Sequence, residues 1–266
     1  MILFIDICDD IIREIVSQLD ENSFLAFRGI SSYYNNIICD VKFPGYLLKI
    51  PCAINVCKTR EAKHFRCVVP RINYELNLGF NKNATDAFIK SFINITSLYL
   101  DGNLSITDNG IKELTRLESL YLSRNSLITN KGLSRMTLLT KLDLSWNNKI
   151  ADNGIIPLKN LIYLNLRNNI KITDKGISKL KSLKTLILRD NLKITDRGVK
   201  KLYSLTTLDL DNSNVSDIGI INLTNLTNLD IFPSNKLVTE FSISNLKKLT
   251  PYSLKYCHIN TIKNTI

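Results

Sequence analysis

LYLDGN at 98–103, LYLSRN at 120–125, LDLSWN at 142–147, LNLRNN at 164–169 and LILRDN at 186–191 each begin 22 residues after the segment before. A fixed period of this length marks a stack of identical supersecondary units, and it takes precedence over local propensity in assigning the fold. Working outward, LNLGFN at 76–81 precedes the series in register and LDLDNS at 208–213 keeps the step, while LDIFPS at 229–234 arrives one residue early. YSLKYC at 252–257 follows Leu229 by 23 residues and puts Cys257 where other units have Asn; it is counted as a further unit. INVCKT, from Ile54, is in register before Leu76 but lacks the polar anchor, so it is a candidate cap.

The recurring pattern, LxxLxLxxN, resembles the leucine-rich-repeat family from about residue 74 to the C-terminus. Side chains alternate along a strand, so the two leucines of LxL point into a core and the residues between and after them face outward. The Asn at 81, 103, 125, 147, 169 and 191 then falls where the chain leaves the strand. Its amide both donates and accepts, and suits a buried turn with unpaired backbone groups. A second signature follows each strand: ITDNG, ITNKG, IADNG, ITDKG, ITDRG and VSDIG, ending at Gly110, Gly132, Gly154, Gly176, Gly198 and Gly219. Thr, Ser, Asp and Asn before an apolar run are helix N-cap types, so a helix or helical turn is expected there.

One unit cannot bury its apolar face alone, so the units must stack. The expected fold is an α/β leucine-rich-repeat solenoid, with short parallel strands on the concave face and short helices on the convex face. Nine strands at ~4.8 Å spacing give a face of roughly 40 Å. Specificity would be written in its outward positions. One column runs Asn77, Tyr99, Tyr121, Asp143, Asn165, Ile187, Asp209 and Asp230, and its neighbour Gly79, Asp101, Ser123, Ser145, Arg167, Arg189, Asp211 and Phe232. Tyr, Trp and Arg are typical interface anchors. The candidate target-binding residues are therefore Tyr99, Tyr121, Arg124, Trp146, Arg167 and Arg189, with Asp209, Asp211 and Asp230 as an acidic end. Lys112, Arg135, Lys159, Lys179, Lys200 and Lys201 fall on the convex side, where a solvated face is the ordinary reading.

The first forty residues have a different period. Ile7, Ile11, Ile15 and Leu19 recur every four residues, with Asp9 and Asp10 in the first turn of an amphipathic helix. The break Asp20-Glu21-Asn22-Ser23 leads to a second apolar run of Phe24, Leu25, Phe27 and Ile30. A helical hairpin this short needs a neighbour to pack on. The run from Ile7 to Tyr34 resembles an F-box, whose pattern is Leu-Pro, an acidic pair, Ile or Leu at intervals of four, Leu-Asp, and a second helix ending near a Trp. Cys8 stands at the Pro and Tyr34 at the Trp. The resemblance implies docking onto the adaptor subunit of a cullin-based SCF ubiquitin ligase through Ile7, Cys8, Ile11, Ile15, Leu19, Phe24 and Leu25, while the repeats present a target protein. A helical hairpin that merely caps the solenoid is the alternative. The organisation read from the sequence is an all-α F-box-like segment at 1–40, a linker with a degenerate repeat or cap at 41–73, and the solenoid with its C-terminal cap at 74–266.

The net charge is +11, yet residues 1–40 hold seven acids against two bases. Ile, Asn and Lys have A/T-rich codons, so part of the basic excess reflects genome composition, of the kind found in a large DNA virus or an A/T-rich microbe. No aromatics interleave with the basic residues as single-strand binders require, and no nucleic-acid module is recognisable. Nucleic acid is therefore not an expected partner. No apolar run reaches the length of a membrane span, and MILFIDIC is broken by Asp6, Asp9 and Asp10, so neither membrane nor secretion is expected. The six scattered cysteines fit free thiols in a reducing, cytoplasmic or nucleo-cytoplasmic setting. Cys52, Cys57, His64 and Cys67 could ligate zinc, but their spacing fits no standard zinc motif. With two histidines, no phosphate loop and no activated thiol motif, neither cofactor, metal nor catalytic centre is expected.

Overall fold

The computed structural model describes residues 74–82, 84–90, 95–231 and 235–249, together with the backbone of two strands at 38–43 and 46–51. Eight parallel strands form the spine: β3 (Tyr74–Asn77), β4 (Ile95–Tyr99), β5 (Ser119–Tyr121), β6 (Lys141–Asp143), β7 (Tyr163–Asn165), β8 (Thr185–Ile187), β9 (Thr207–Asp209) and β10 (Asn228–Asp230). Each pairs with its sequence neighbours, equivalent leucines side by side: Leu98 with Leu120, Leu120 with Leu142, and so on to Leu208 with Leu229. This is the parallel solenoid that the 22-residue period requires.

Its N-terminal edge is built differently. β1 (Ile38–Phe43) and β2 (Tyr46–Pro51) form an antiparallel hairpin, and β1 pairs antiparallel with β3. The stretch from Ile54 lies outside the described residues. The edge of β3 that it would occupy as an earlier unit is taken by β1, which satisfies the ladder groups there. Ile38, Cys39 and Asp40, included by sequence in a helical segment, are strand. The F-box-like run at 7–34 and the last unit at 252–257 lie outside the described residues.

Single helical turns follow the strands: α1 (Asp86–Ile89), α2 (Asp108–Ile111), α3 (Asn130–Leu133), α4 (Asp152–Ile155), α5 (Asp174–Ile177), α6 (Asp196–Val199), α7 (Asp217–Ile220) and α8 (Glu240–Ile243). The N-cap expectation is met: the side-chain oxygens of Thr107, Thr129, Thr173, Thr195 and Ser216 accept from a backbone N–H in the turn they precede. Between strand and turn lies one continuous core. In the unit that begins with β6, Leu142, Leu144, Ile150, Ile155, Leu158 and Leu161 are all fully buried. Each such side chain contributes about 1.5–3 kcal/mol relative to exposure.

Two polar ladders fix the stack. In the first, the Asn147 side-chain NH2 donates to the Leu122 carbonyl (3.3 Å) and the Asn125 carbonyl (3.0 Å) of the unit before. Its oxygen accepts from the backbone N–H of Lys149 and Ile150 in its own turn. Asn103, Asn125, Asn169 and Asn191 do the same, so each buried amide is satisfied on both sides. At the next station Ser213 replaces Asn, and the role passes on to Asn235, which donates to Leu210 O and Ser213 Oγ. Leu229 is one residue early in the sequence, yet it still pairs with Leu208, and Asn235 stands 44 residues after Asn191 (235 − 191), so the sheet and the anchor column both keep their phase while the connecting segments change length.

The second ladder joins the helical turns. Asp152 Oδ1 accepts from the Thr173 N–H (2.8 Å) and its Oδ2 from the Thr173 hydroxyl (2.7 Å). Asp86, Asp108, Asp174, Asp196 and Asp217 serve the Thr or Ser of the following unit in the same way. The glycine that closes each ITDxG makes room for this contact: a Cβ on Gly176 would sit 2.5 Å from Asp152 Oδ1.

Asn147→Leu is expected to cost about 1–3 kcal/mol for each turn group it leaves unsatisfied, read as a lower urea midpoint with an unchanged slope. Gly176→Ala should cost about 1–3 kcal/mol by overpacking. In the Asp152→Ala background, where the blocking oxygen is gone, the same substitution should cost less, which a double-mutant cycle measures.

Candidate functional site

With the leucines and asparagines committed to the stack, chemical variety is left to the outward sheet face. Its most ordered feature is aromatic. Tyr99 on β4 and Tyr121 on β5 occupy the same register position, and their rings stack with centroids 4.3 Å apart and planes 2° from parallel. Tyr163, at the start of β7, stands in the adjacent outward column, beside Lys141 on β6 and diagonal to Asp143, whose direct neighbour is Asn165. Sequence reasoning missed Tyr163 because it considered only the positions between and after the two leucines. The residue before the first leucine also points outward by the same alternation, and this position carries Glu75, Lys141 and Tyr163.

Acidic groups surround these rings. Burial raises the Tyr99 hydroxyl well above the ordinary phenol range, with Tyr121 and Glu75 adding to it. Tyr121 and Tyr163 are likewise raised, by burial first, and the negative charge of Asp143 contributes to both. Asp101 is raised by burial and by Asp143, against the N–H of Ser123, which donates to its Oδ1 at 2.9 Å. Asp143 accepts from the Ser145 N–H and hydroxyl through one oxygen and from the Asn165 amide through the other. Asp101 and Asp143 lie in the two outward columns but outside the patch expected from Tyr, Trp and Arg.

The expected target-binding residues divide into three groups. Tyr99 and Tyr121 form the stack. Arg124 and Trp146 come together at the rim, the guanidinium carbon 5.7 Å from the ring centroid, a cation–π distance. Both sit at the third residue of a turn in which the anchor Asn donates its N–H back to a leucine carbonyl, and both have positive φ, 54° and 59°. That backbone region suits Gly and Asn, as at Gly102 and Asn168, and is costly for a Trp. Trp146 is nonetheless 42% exposed.

Arg167 and Arg189 form the third group with their acids, and both are engaged within the solenoid. Arg167 Nε lies 3.4 Å from Asp190 Oδ2, and Arg189 Nε 3.0 Å from Asp211 Oδ2. Asp211 is only 6% exposed, so the acidic end offers solvent Asp209 and Asp230 but very little of Asp211. Asp209 is raised above the usual carboxyl range by burial and by Asp230, against the Asp211 N–H and Arg189. Phe232 and the seven adaptor-facing residues of the N-terminal segment lie outside the described residues.

On the opposite side Arg135 pairs with Glu113 at 2.9 Å, both exposed. Lys200 and Lys201 line a shallow depression with Tyr203, Ile218 and Phe241. Among the described residues no three His, Cys, Asp or Glu side chains are grouped to hold a metal ion, and no helix is long and apolar enough to cross a membrane. Cys52, Cys57, His64 and Cys67 fall outside them.

A one-dimensional stack of strand-turn-helix units, with its invariant chemistry inside and its variable chemistry on an open sheet, is a leucine-rich-repeat solenoid, a protein-interaction scaffold. A family profile described as Leucine Rich repeat matches residues 135–159, 158–181 and 179–202. Among solved structures the chain is similar to an internalin (inlF) of Listeria monocytogenes, at 22% identity and TM-score 0.58, over 74% of this chain and 59% of that one. It is also similar to an internalin C2 of the same organism, at 26% identity and TM-score 0.54, over 69% of this chain and 81% of that one. A Leptospira interrogans LRR protein matches at 29% identity and TM-score 0.51, over 61% of this chain and 43% of that one. A comparison with curated proteins gives no match.

The raised Asp209 carboxyl sets a pH dependence of stability. Its folded value lies above its unfolded one, so its favourable contribution is present while the unfolded group is still protonated and is lost as pH rises through the folded value. Asp209→Asn, which keeps an acceptor for the Asp211 N–H, should raise the urea midpoint at about pH 7. The gain over the parent should vanish below about pH 3, where both carboxyl states are neutral.

Proposed function

We propose that this protein is the substrate-recognition subunit of an SCF-type cullin ubiquitin ligase, binding a target protein on the outward sheet face. The observation that carries the reading is the presence, in one chain, of the 7–34 run with its four-residue apolar spacing and F-box pattern beside an interaction scaffold whose sheet face is chemically particular. In this role the chain performs no chemistry. It raises the effective concentration of target lysines near the charged conjugating enzyme, and proximity alone accelerates transfer. The adaptor-facing residues are Ile7, Cys8, Ile11, Ile15, Leu19, Phe24 and Leu25. The target-facing residues are Tyr99, Tyr121, Arg124 and Trp146, with Arg167, Arg189 and the aspartates in the secondary role that their internal pairing leaves them.

A second reading, a repeat scaffold with no ubiquitin coupling, is favoured by one particular observation: Cys8 and Tyr34 replace the Pro and Trp of the F-box pattern. Pull-down with the purified SCF adaptor separates the two. The ligase reading expects capture by the full chain and its loss in Ile11→Asp and Ile15→Asp; no capture by the wild type leaves the scaffold reading. Target binding is tested separately with Trp146→Ala combined with Arg167→Ala. Retention of every cellular partner at full strength by that variant would remove the target-facing assignment.

A further inference from the structure

The rings and carboxylates of β4 to β7 define a partner chemistry, an inference that rests on the interaction-scaffold reading and makes it more specific. We propose that this part of the sheet face binds an extended protein segment bearing lysine or arginine. Tyr99, Tyr121 and Tyr163 lie under the cationic side chains, and Asp101 and Asp143 supply the counter-charge.

Three observations converge. The first is geometric. Asp143 stands directly beside Tyr121 of the stacked pair and diagonally across from Tyr163, close enough that its charge is felt at both hydroxyls, so a carboxylate lies among partly exposed aromatic surfaces. Aromatic faces attract cations, and a flanking carboxylate strengthens the site. The strands are ~4.8 Å apart and an extended chain advances ~3.3 Å per residue, so a segment of roughly five residues crosses from β4 to β7.

The second is the charge balance. Among the described residues, no ion pair engages Glu75, Asp101 or Asp143, whereas Arg167 and Arg189 are paired with Asp190 and Asp211. Arg124 is turned onto Trp146, and the one lysine within the face is Lys141, beside Tyr163 and two residues before Asp143 on the same strand, against the carboxylates of Glu75, Asp101 and Asp143. The face is thus locally acidic within a chain of net charge +11. The convex lysines lie across the solenoid, beyond the roughly 8 Å over which charges act at physiological salt.

The third is the direction in which the groups titrate. Burial first, and then the charge of neighbouring carboxylates, holds Asp101, Tyr121 and Tyr163 toward their protonated forms. Added negative charge would be opposed there and positive charge relieved. This argues against a single-stranded nucleic acid, whose bases could stack on the tyrosines but whose phosphates would face carboxylates where such binders place cations.

The test uses the full-length chain and three fluorescein-labelled probes at about 0.15 M salt: the peptide (Gly-Lys)4, its (Gly-Glu)4 counterpart, and a 12-nucleotide oligouridylate. Fluorescence anisotropy should show binding of the lysine peptide, weakened about fivefold or more by Asp143→Asn, by Asp101→Asn and by Tyr121→Ala. Lys141→Ala should tighten it, and the convex double variant Lys159→Ala/Lys179→Ala, at two exposed positions, should leave it unchanged. Circular dichroism melts of each variant establish that it is folded, and Asp101→Asn, which retains an acceptor for the Ser123 N–H, guards against a structural effect. The proposal is overturned by lysine-peptide binding indifferent to all three concave substitutions, by no binding of that peptide, or by tighter Tyr121-dependent binding of the glutamate peptide or the RNA. If Tyr121→Ala abolishes capture of a cellular protein that the lysine peptide cannot displace, the cationic assignment fails while the interaction-scaffold reading stands.

Discussion

A primary amide buried without partners is costly, and a sharp turn at the end of each three-residue strand leaves backbone groups that need partners too. The asparagine column solves both problems at once. From Asn103 to Asn191 each side chain, as Asn147 does, donates to two carbonyls of the unit before and accepts from two N–H groups of its own turn. The aliphatic core supplies the larger free energy, but it would tolerate sliding. The amide permits only one offset between successive units, and that offset sets which outward side chains stand beside which. The stacking of Tyr99 on Tyr121 and the approach of Arg189 to Asp211 are consequences of this register.

The column also explains how the solenoid absorbs irregularity. Between Leu208 and Leu229 the chain is one residue short, and between Leu229 and Asn235 it is one residue long. Strand and anchor both keep their places, Leu229 beside Leu208 and Asn235 on the Leu210 carbonyl, so the connecting segments, one residue shorter before Leu229 and one longer after it, take up the difference. The Asp–Thr ladder on the helical side is a second constraint of the same kind, and the glycine of each ITDxG follows from it.

Much of this was legible in the sequence. The period, the inward leucines, the anchor asparagines as far as Asn191 and the N-caps are dictated by local spacing, and local spacing is what a sequence displays. What lay out of reach depended on relations between units. Asp152 looked like a first-turn acid, and its bonds to Thr173 appear only when two turns are stacked. Arg167 and Arg189 looked like free anchors, and only the diagonal across two strands reveals their partners. Asn235 was hidden by the extra residue, and Tyr163 by attention to only two of the three outward positions. The antiparallel β1–β2 hairpin at the N-terminal edge breaks the period altogether, so periodicity could not announce it.

From Asn103 to Asn191 the side-chain NH2 of each anchor asparagine donates to the preceding unit. The amide ladder is therefore polar along the solenoid, whereas the backbone N–H of the residue after each strand donates the other way, to the following unit. An interior unit is tied to both neighbours by bonds of opposite sense, so replacing one asparagine leaves carbonyls unsatisfied in the unit before and N–H groups unsatisfied in its own turn.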